Sequence, residues 1–250
     1  MTLMESRMEK HAHPLAYRIR PGSIDELMGQ DDAKRFIESF VAGNRRSVML
    51  WGPPGSGKSS AAHIIEILCK DSFFAISAVT SGIQDIRRVT KHAQNTPEPP
   101  VVFIDEVHRF NRVQQDALLP FVERGDIILI GATTENPSFS ITSPLLSRLQ
   151  VVTFRALKPS DVEKILKRAI EDDPGLASLG KIVSPDALKA LARAADGDAR
   201  AALNLLELAL STIDRERIEI DDLKALLDRP LYHDKTGENH YDLISAFHKS

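Results

Sequence analysis

The chain has 250 residues, 42% of them hydrophobic, and sets 32 Lys and Arg against 35 Asp and Glu for a formal net charge of −3. That balance excludes a generally basic nucleic-acid coat and a polyacidic tail, though not a local basic stripe. A single cysteine, Cys69, excludes a disulfide framework and a Cys-x-x-Cys metal site, and no apolar run approaches the roughly 18 residues of a membrane helix.

The first 20 residues carry Glu5, Arg7, Glu9, Lys10, Arg18 and Arg20 and no apolar stretch of signal-peptide type, so a cytoplasmic location is expected. Short apolar runs then alternate with longer helical patterns. Strands are predicted at 47–51, 73–77, 101–104, 126–130 and 151–154. Each is nearly continuously apolar, as strands are when both faces of a parallel sheet are covered. Helices are predicted at 59–69, 83–94 and 112–124. The alternation argues for a doubly wound α/β unit over 1–156.

After Phe154 the strands are expected to stop. Lys158-Pro159-Ser160-Asp161 reads as a linker ending in a helix N-cap at Ser160 or Asp161. Helices are predicted near 160–171, 185–195, 198–213 and 221–228, the second opened by Ser184-Pro185 as cap and first-turn proline. These make a small all-α bundle over 157–228. Residues 229–250 are polar at first and then carry Leu243, Ile244 and Phe247 on one helical face.

Gly52-Pro53-Pro54-Gly55-Ser56-Gly57-Lys58-Ser59 fits the phosphate-loop pattern between a strand and a helix, with Ser60 next in the helix. Its glycines let backbone N–H groups curl around phosphate oxygens, and the helix N-terminus adds partial positive charge. Lys58 is expected to reach the β- and γ-phosphates of ATP, and the Ser59 hydroxyl to ligate Mg²⁺. Val101-Val102-Phe103-Ile104-Asp105-Glu106 is a strand ending in two carboxylates. Asp105 is expected to hold Mg²⁺, directly or through water, and Glu106 to act as general base on the attacking water. The predicted fourth strand leads into Gly131-Ala132-Thr133-Thr134-Glu135-Asn136, where Thr134, or else Asn136, is expected to bond the γ-phosphate or the water.

Arg148 precedes the fifth strand, and Arg200 opens a helix of the second part. Read singly, each is a solvated surface charge. Arg87, Arg88 and Lys91 share one side of the predicted 83–94 helix, with His92 beside them. This basic stripe suits phosphates, but no aromatics are interleaved with it for base stacking. His11 and His13 lack a third ligand nearby and read as surface residues.

This set resembles the AAA+ ATPases of the clamp-loader clade. Arg20-Pro21 with Gly29-Gln30 is similar to the clade's adenine-side segment, to which Ile19 is assigned as well. The resemblance implies a three-layer sandwich with a five-stranded parallel sheet of order 5-1-4-3-2, followed by a helical lid. It makes Arg148 a finger that reaches a neighbouring subunit's ATP, and Arg200 a lid sensor of the γ-phosphate in its own subunit.

A narrower likeness is to the replication-associated recombination protein A family, which is related to the Werner helicase-interacting protein. It is carried by Pro14-Leu15-Ala16, Leu50 to Gly55, Ser77 to Gly82, Ile104 to Asn111, Gln114 to Pro120 and Gly131 to Phe139. Ser59 stands where Thr is common, and Leu149 where Cys follows the Ser-Arg pair. His240 to Ser250 resembles the opening of a C-terminal region that mediates tetramerisation, so the chain is expected to be a piece cut inside that opening.

The resemblance implies a Mg²⁺-dependent, DNA-stimulated ATPase in a bacterial cytoplasm, at the nucleoid. It would act without sequence preference on forks, ends and single-strand gaps of DNA, with single-stranded-DNA-binding protein as partner and a homotetramer as the whole protein. A second reading is an ATP-gated scaffold in which turnover is incidental. Glu106 speaks for the enzyme, because a pure switch could dispense with the base. A small-molecule kinase is disfavoured, since it needs neither a finger in trans nor such a lid.

Overall fold

The computed structural model describes residues 13–69, 72–78, 83–93 and 98–227. The motif residues 79–82, the expected tail 229–250 and His11 lie outside them. In chain order the described part runs α1 (Leu15–Arg18), α2 (Asp31–Val41), β1 (Val48–Trp51), α3 (Lys58–Cys69), β2 (Phe73–Ser77), α4 (Ile83–Ala93) and β3 (Val101–Asp105). A 3₁₀ turn (Val107–Arg109) leads to α5 (Arg112–Arg124), β4 (Ile128–Thr133), α6 (Pro137–Ser140), α7 (Ser143–Leu146) and β5 (Gln150–Thr153). Then come α8 (Pro159–Asp172), α9 (Pro174–Ala177), β6 (Ile182–Val183), α10 (Pro185–Ala194), α11 (Ala199–Thr212), β7 (Arg217–Ile218) and α12 (Ile220–Leu227).

The five longer strands form one parallel sheet in the order β2-β3-β4-β1-β5, the expected order read from its other edge. Its apolar runs serve two cores at once because successive side chains point to opposite faces. Val48, Leu50, Val101, Phe103, Ile128 and Ile130 pack with α2 and α3 through Phe36, Ile37, Phe40, Ile64 and Ile65. Met49, Val102, Ile104 and Leu129 pack on the other side with Ile86, Val89 and Leu118. Helix α2, absent from the sequence reading, places Ala33, Phe36, Ile37 and Phe40 on its buried side. That spacing is the amphipathic signature that reveals such a helix.

Three expectations are corrected. The fourth strand starts two residues later and runs three further, since Gly131, Ala132 and Thr133 pair with Met49, Leu50 and Trp51. The strands do not stop after Phe154, because β6 and β7 make a two-residue parallel pair among the helices. Neither Ser160 nor Asp161 caps α8. Lys158 is its N-cap without a side-chain bond, and Pro159 at the first turn has no N–H to satisfy. Ser184 does cap α10, accepting from the Ala187 N–H.

Helices α8 to α12 share a third core, and Leu15 and Ile19 from the start of the chain are buried in it. The anchor is ionic as well as apolar. Arg18 makes a fork to Asp173 at 2.7 and 3.1 Å, and its Nη1 reaches Glu207 at 3.1 Å. Burial pushes the Asp173 carboxyl up, but the Arg18 fork and the Leu176 N–H outweigh it and hold the group below the usual range. On α8, Arg168 donates to the Ile19 carbonyl at 2.6 Å.

Candidate functional site

The C-terminal ends of β1, β3 and β4 open onto a cleft of about 290 Å³, closed on the far side by the helical part. Such sheet edges are where α/β folds collect ligand-binding residues. The loop after β1 forms its floor. Gly52 begins the loop against β5, and a Cβ there would lie 2.2 Å from the Phe154 carbonyl oxygen. Gly55 has φ +63°, and a Cβ on it would strike the Asp198 carboxylate at the start of α11. The loop and α11 are also joined by the Ala199 N–H, which donates to the Gly55 carbonyl at 3.2 Å.

Lys58 is 6% exposed. Its Nζ donates to the Gly52 and Pro53 carbonyls at 2.7 Å each, which folds the loop back over the start of α3. Burial lowers its pKa, opposed by Glu106, Asp105 and Asp198. A polyphosphate beside it would favour the charged form in the same way. Ser56 donates to the Pro53 carbonyl at 2.7 Å.

The Ser59 hydroxyl lies 3.3 Å from Asp105 Oδ2. A hydroxyl and one carboxylate suit a hard cation that takes most of its shell from phosphates and water, as Mg²⁺ does. Among the described residues no group of three His, Cys, Asp or Glu could hold a metal alone. Glu106, next in line, has a left-handed backbone (φ 51°, ψ 44°) and opens the 3₁₀ turn.

The structure separates the two sensor candidates. Thr134 lines the cleft. Asn136 is the N-cap of α6, its side chain accepting from the Ser138 N–H at 3.0 Å, and it does not line the cleft. Arg200 lines the cleft from the helical side, with Leu203 and Ile165 as apolar neighbours. Ile19 and Arg20 line it too, as do Pro54, Gly55, Ser56, Gly57 and Ser60.

Gly29 and Gln30 stand behind that wall. The Gln30 amide bonds both the N–H and the carbonyl of Arg155, at 3.1 and 2.7 Å, and staples the segment to the strand–helix linker. Arg148 lies at the other end of the sheet, two residues before the start of β5, whereas the phosphate loop follows the far end of the neighbouring β1. There it pairs with Glu123 and donates to the Pro144 carbonyl. On α4, Arg87, Arg88 and Lys91 are exposed while Ile86 and Val89 are buried, and Arg88 pairs with Asp85 at 3.2 Å. His92 carries no described side chain.

The sequence reading passed over His108, whose ring stands between Glu106 and Thr133. Its signal was its place three residues after Asp105 in the acidic motif. It also passed over Asp198, Ile165, Arg168 and Leu203, which carry no local signal because only packing of the helical part brings them to the loop.

Residues 48–157 match the family described as ATPase family associated with various cellular activities, and residues 179–250 match the AAA C-terminal domain. The chain is 42% identical to replication-associated recombination protein A of Haemophilus influenzae, over 95% of this chain and 56% of that protein. It is 39% identical to ATPase WRNIP1 of Dictyostelium discoideum, over 97% of this chain and 31% of that protein. The chain thus spans about half or less of these relatives. Among solved structures it resembles the Thermotoga maritima RuvB Holliday junction branch migration motor, with TM-score 0.69 and 27% identity over 82% of this chain and 70% of that one. Among the described residues no helix is long and apolar enough to cross a membrane.

Proposed function

Because the chain belongs to the replication-associated recombination protein A family of AAA ATPases, we propose that its cleft binds Mg·ATP and hydrolyses it in the service of DNA replication and recombination. The observation that carries this reading is the convergence of Lys58, Ser59, Asp105, Glu106, Thr134 and Arg200 in one cleft. The loop N–H groups and Lys58 bind the phosphates. Ser59 and Asp105 would hold the cation, which supplies charge neutralisation across the β- and γ-phosphates. Glu106 takes a proton from the attacking water, and Thr134 and Arg200 hold the γ-phosphate in line.

Residues 1–156 act as the ATPase core, except that α1 packs with the lid, 157–228 as that lid and 229–250 as the start of an assembly region. Arg148 is on the wrong end of the sheet for its own cleft, so it serves a neighbour's in a homo-oligomer of the clamp-loader type. Turnover should then rise more than linearly with chain concentration. A concentration-independent rate from a confirmed monomer would contradict the arrangement in trans. The exposed stripe on α4 meets DNA phosphates at stalled forks and gaps, and single-stranded-DNA-binding protein is the partner to test.

The deciding experiment is steady-state ATP hydrolysis with and without forked, gapped and blunt DNA, beside Glu106→Gln. A lost general base lowers the rate by about 10²–10⁴. Nucleotide binding, read from the fluorescence of Trp51 next to the loop, should persist. Unchanged turnover in that variant would turn the reading toward a nucleotide-gated scaffold.

A further inference from the structure

We propose that His108 is a positioning residue for Glu106, tying its carboxylate to the tip of β4 so that the strand bearing Thr134 sets where the base stands. The inference rests on Glu106 acting as the base. A left-handed conformation is unfavourable for a residue with a Cβ, and Glu106 adopts one. Two bonds hold its backbone there: its N–H donates to Asp105 Oδ1 at 3.1 Å, and its carbonyl accepts from the Arg109 N–H at 2.8 Å. Neither restrains the carboxylate.

That restraint comes from the imidazole. His108 Nε2 is 3.2 Å from Glu106 Oε2, and Nδ1 is 3.0 Å from the Thr133 hydroxyl. The ring is 11% exposed, and Thr133 is fully buried. The Thr133 oxygen already accepts from the Glu135 N–H at 3.1 Å. The hydroxyl proton faces two acceptors, Nδ1 at 3.0 Å and the Glu135 carbonyl at 3.3 Å; with the proton on the shorter contact, a neutral ring carries its own proton on Nε2, facing Glu106. Glu135 is the other carboxylate on that side, at 3.9 Å from Nε2.

Val107 and Phe110, on either side of His108, fill the core beneath the turn. Both of its nitrogens are committed, and its anchor is the residue before Thr134. A γ-phosphate on Thr134 and the orientation of the base thus share one strand tip, linked through one ring.

The test uses two amides that each copy one ring nitrogen. Glutamine places an amide donor near Nε2 and keeps the Glu106 contact, whereas asparagine places its amide near Nδ1, where the oxygen can accept from Thr133. His108→Ala should lower kcat about 10- to 100-fold, with KM for ATP and nucleotide affinity by Trp51 fluorescence within about twofold. His108→Gln should recover most of kcat and His108→Asn should not. In single-turnover assays His108→Ala should add no loss on top of Glu106→Gln.

A fully active Glu106→Gln would show that the base is misassigned, and the proposal would fall with it. With Glu106→Gln inactive, the role given to His108 is overturned by wild-type kcat in His108→Ala. It is equally overturned if glutamine recovers no more than asparagine, or if the two losses multiply.

Discussion

The two walls of the cleft are built on different principles. On the sheet side each chemical residue belongs to a strand end or the loop that leaves it: Lys58 closes the loop after β1, Asp105 ends β3 with Glu106 next, and Thr134 follows β4. Hydrogen-bonded registers fix those positions, so the chemistry is local to its motifs. On the helical side Arg200 reaches the cleft only because α11 docks on the phosphate loop through Ala199, and because Leu15, Arg18 and Ile19 tie the start of the chain to α8, α9 and α11. One wall is set by strand pairing, the other by packing between segments some 150 residues apart in sequence. Packing contacts can be remade where a sheet register cannot, so the helical wall is the one able to shift.

The sharpest way to break the comparison is Arg200→Ala. Removing a γ-phosphate arginine should lower turnover by about 10³-fold or more, while thermal stability stays near wild type, since the side chain is exposed. An equal loss of stability would mean that Arg200 supports the docking rather than the chemistry.

Next in size is the ionic clasp. Arg18→Met leaves the buried Asp173 carboxylate without its fork, at a cost of about 3 kcal/mol in urea unfolding. Because the Asp173 pKa is lowered in the folded chain, its contribution is present above the ordinary carboxylate value of about 3.9 and is lost as pH falls through the depressed one. The wild type should therefore lose stability below about pH 4 more steeply than Asp173→Asn, and identical acid limbs would remove Asp173 from the account.

Asn136→Ala should cost about 1 kcal/mol as a lost cap and leave kcat unchanged, whereas Thr134→Val should reduce kcat with little change in stability. The reverse pattern would return the sensor role to Asn136. The smallest structural effect is expected for Arg87→Glu with Arg88→Glu. Stability should stay within about 0.5 kcal/mol while the DNA-stimulated part of the ATPase is lost. Full stimulation in that double variant would exclude the α4 stripe as the DNA surface.

The sheet wall was almost fully legible. Continuous apolar runs announced doubly covered strands, and the loop and acidic motifs announced their ends. The errors have physical causes. Gly131 lies past the predicted end of the fourth strand, yet it pairs with Met49 in β4, and the Met49 side chain fills the space a Cβ would take, 2.9 Å from its Cε. Ser160 and Asp161 read as caps, yet the helix begins one residue earlier at Pro159, which removes the need for one.

The sequence by itself determined the alternation of strands and helices, the phosphate loop and the paired carboxylates, because each depends on spacing within a few residues. Only the tertiary structure decided that Thr134 and not Asn136 lines the cleft, and that Arg200 faces it while Arg148 lies at the far end of the sheet. It also decided that a histidine stands between Glu106 and the end of β4, and that the first helix belongs to the last core. These outcomes follow from which groups packing leaves unsatisfied and within reach of one another, and no local window of sequence contains both partners.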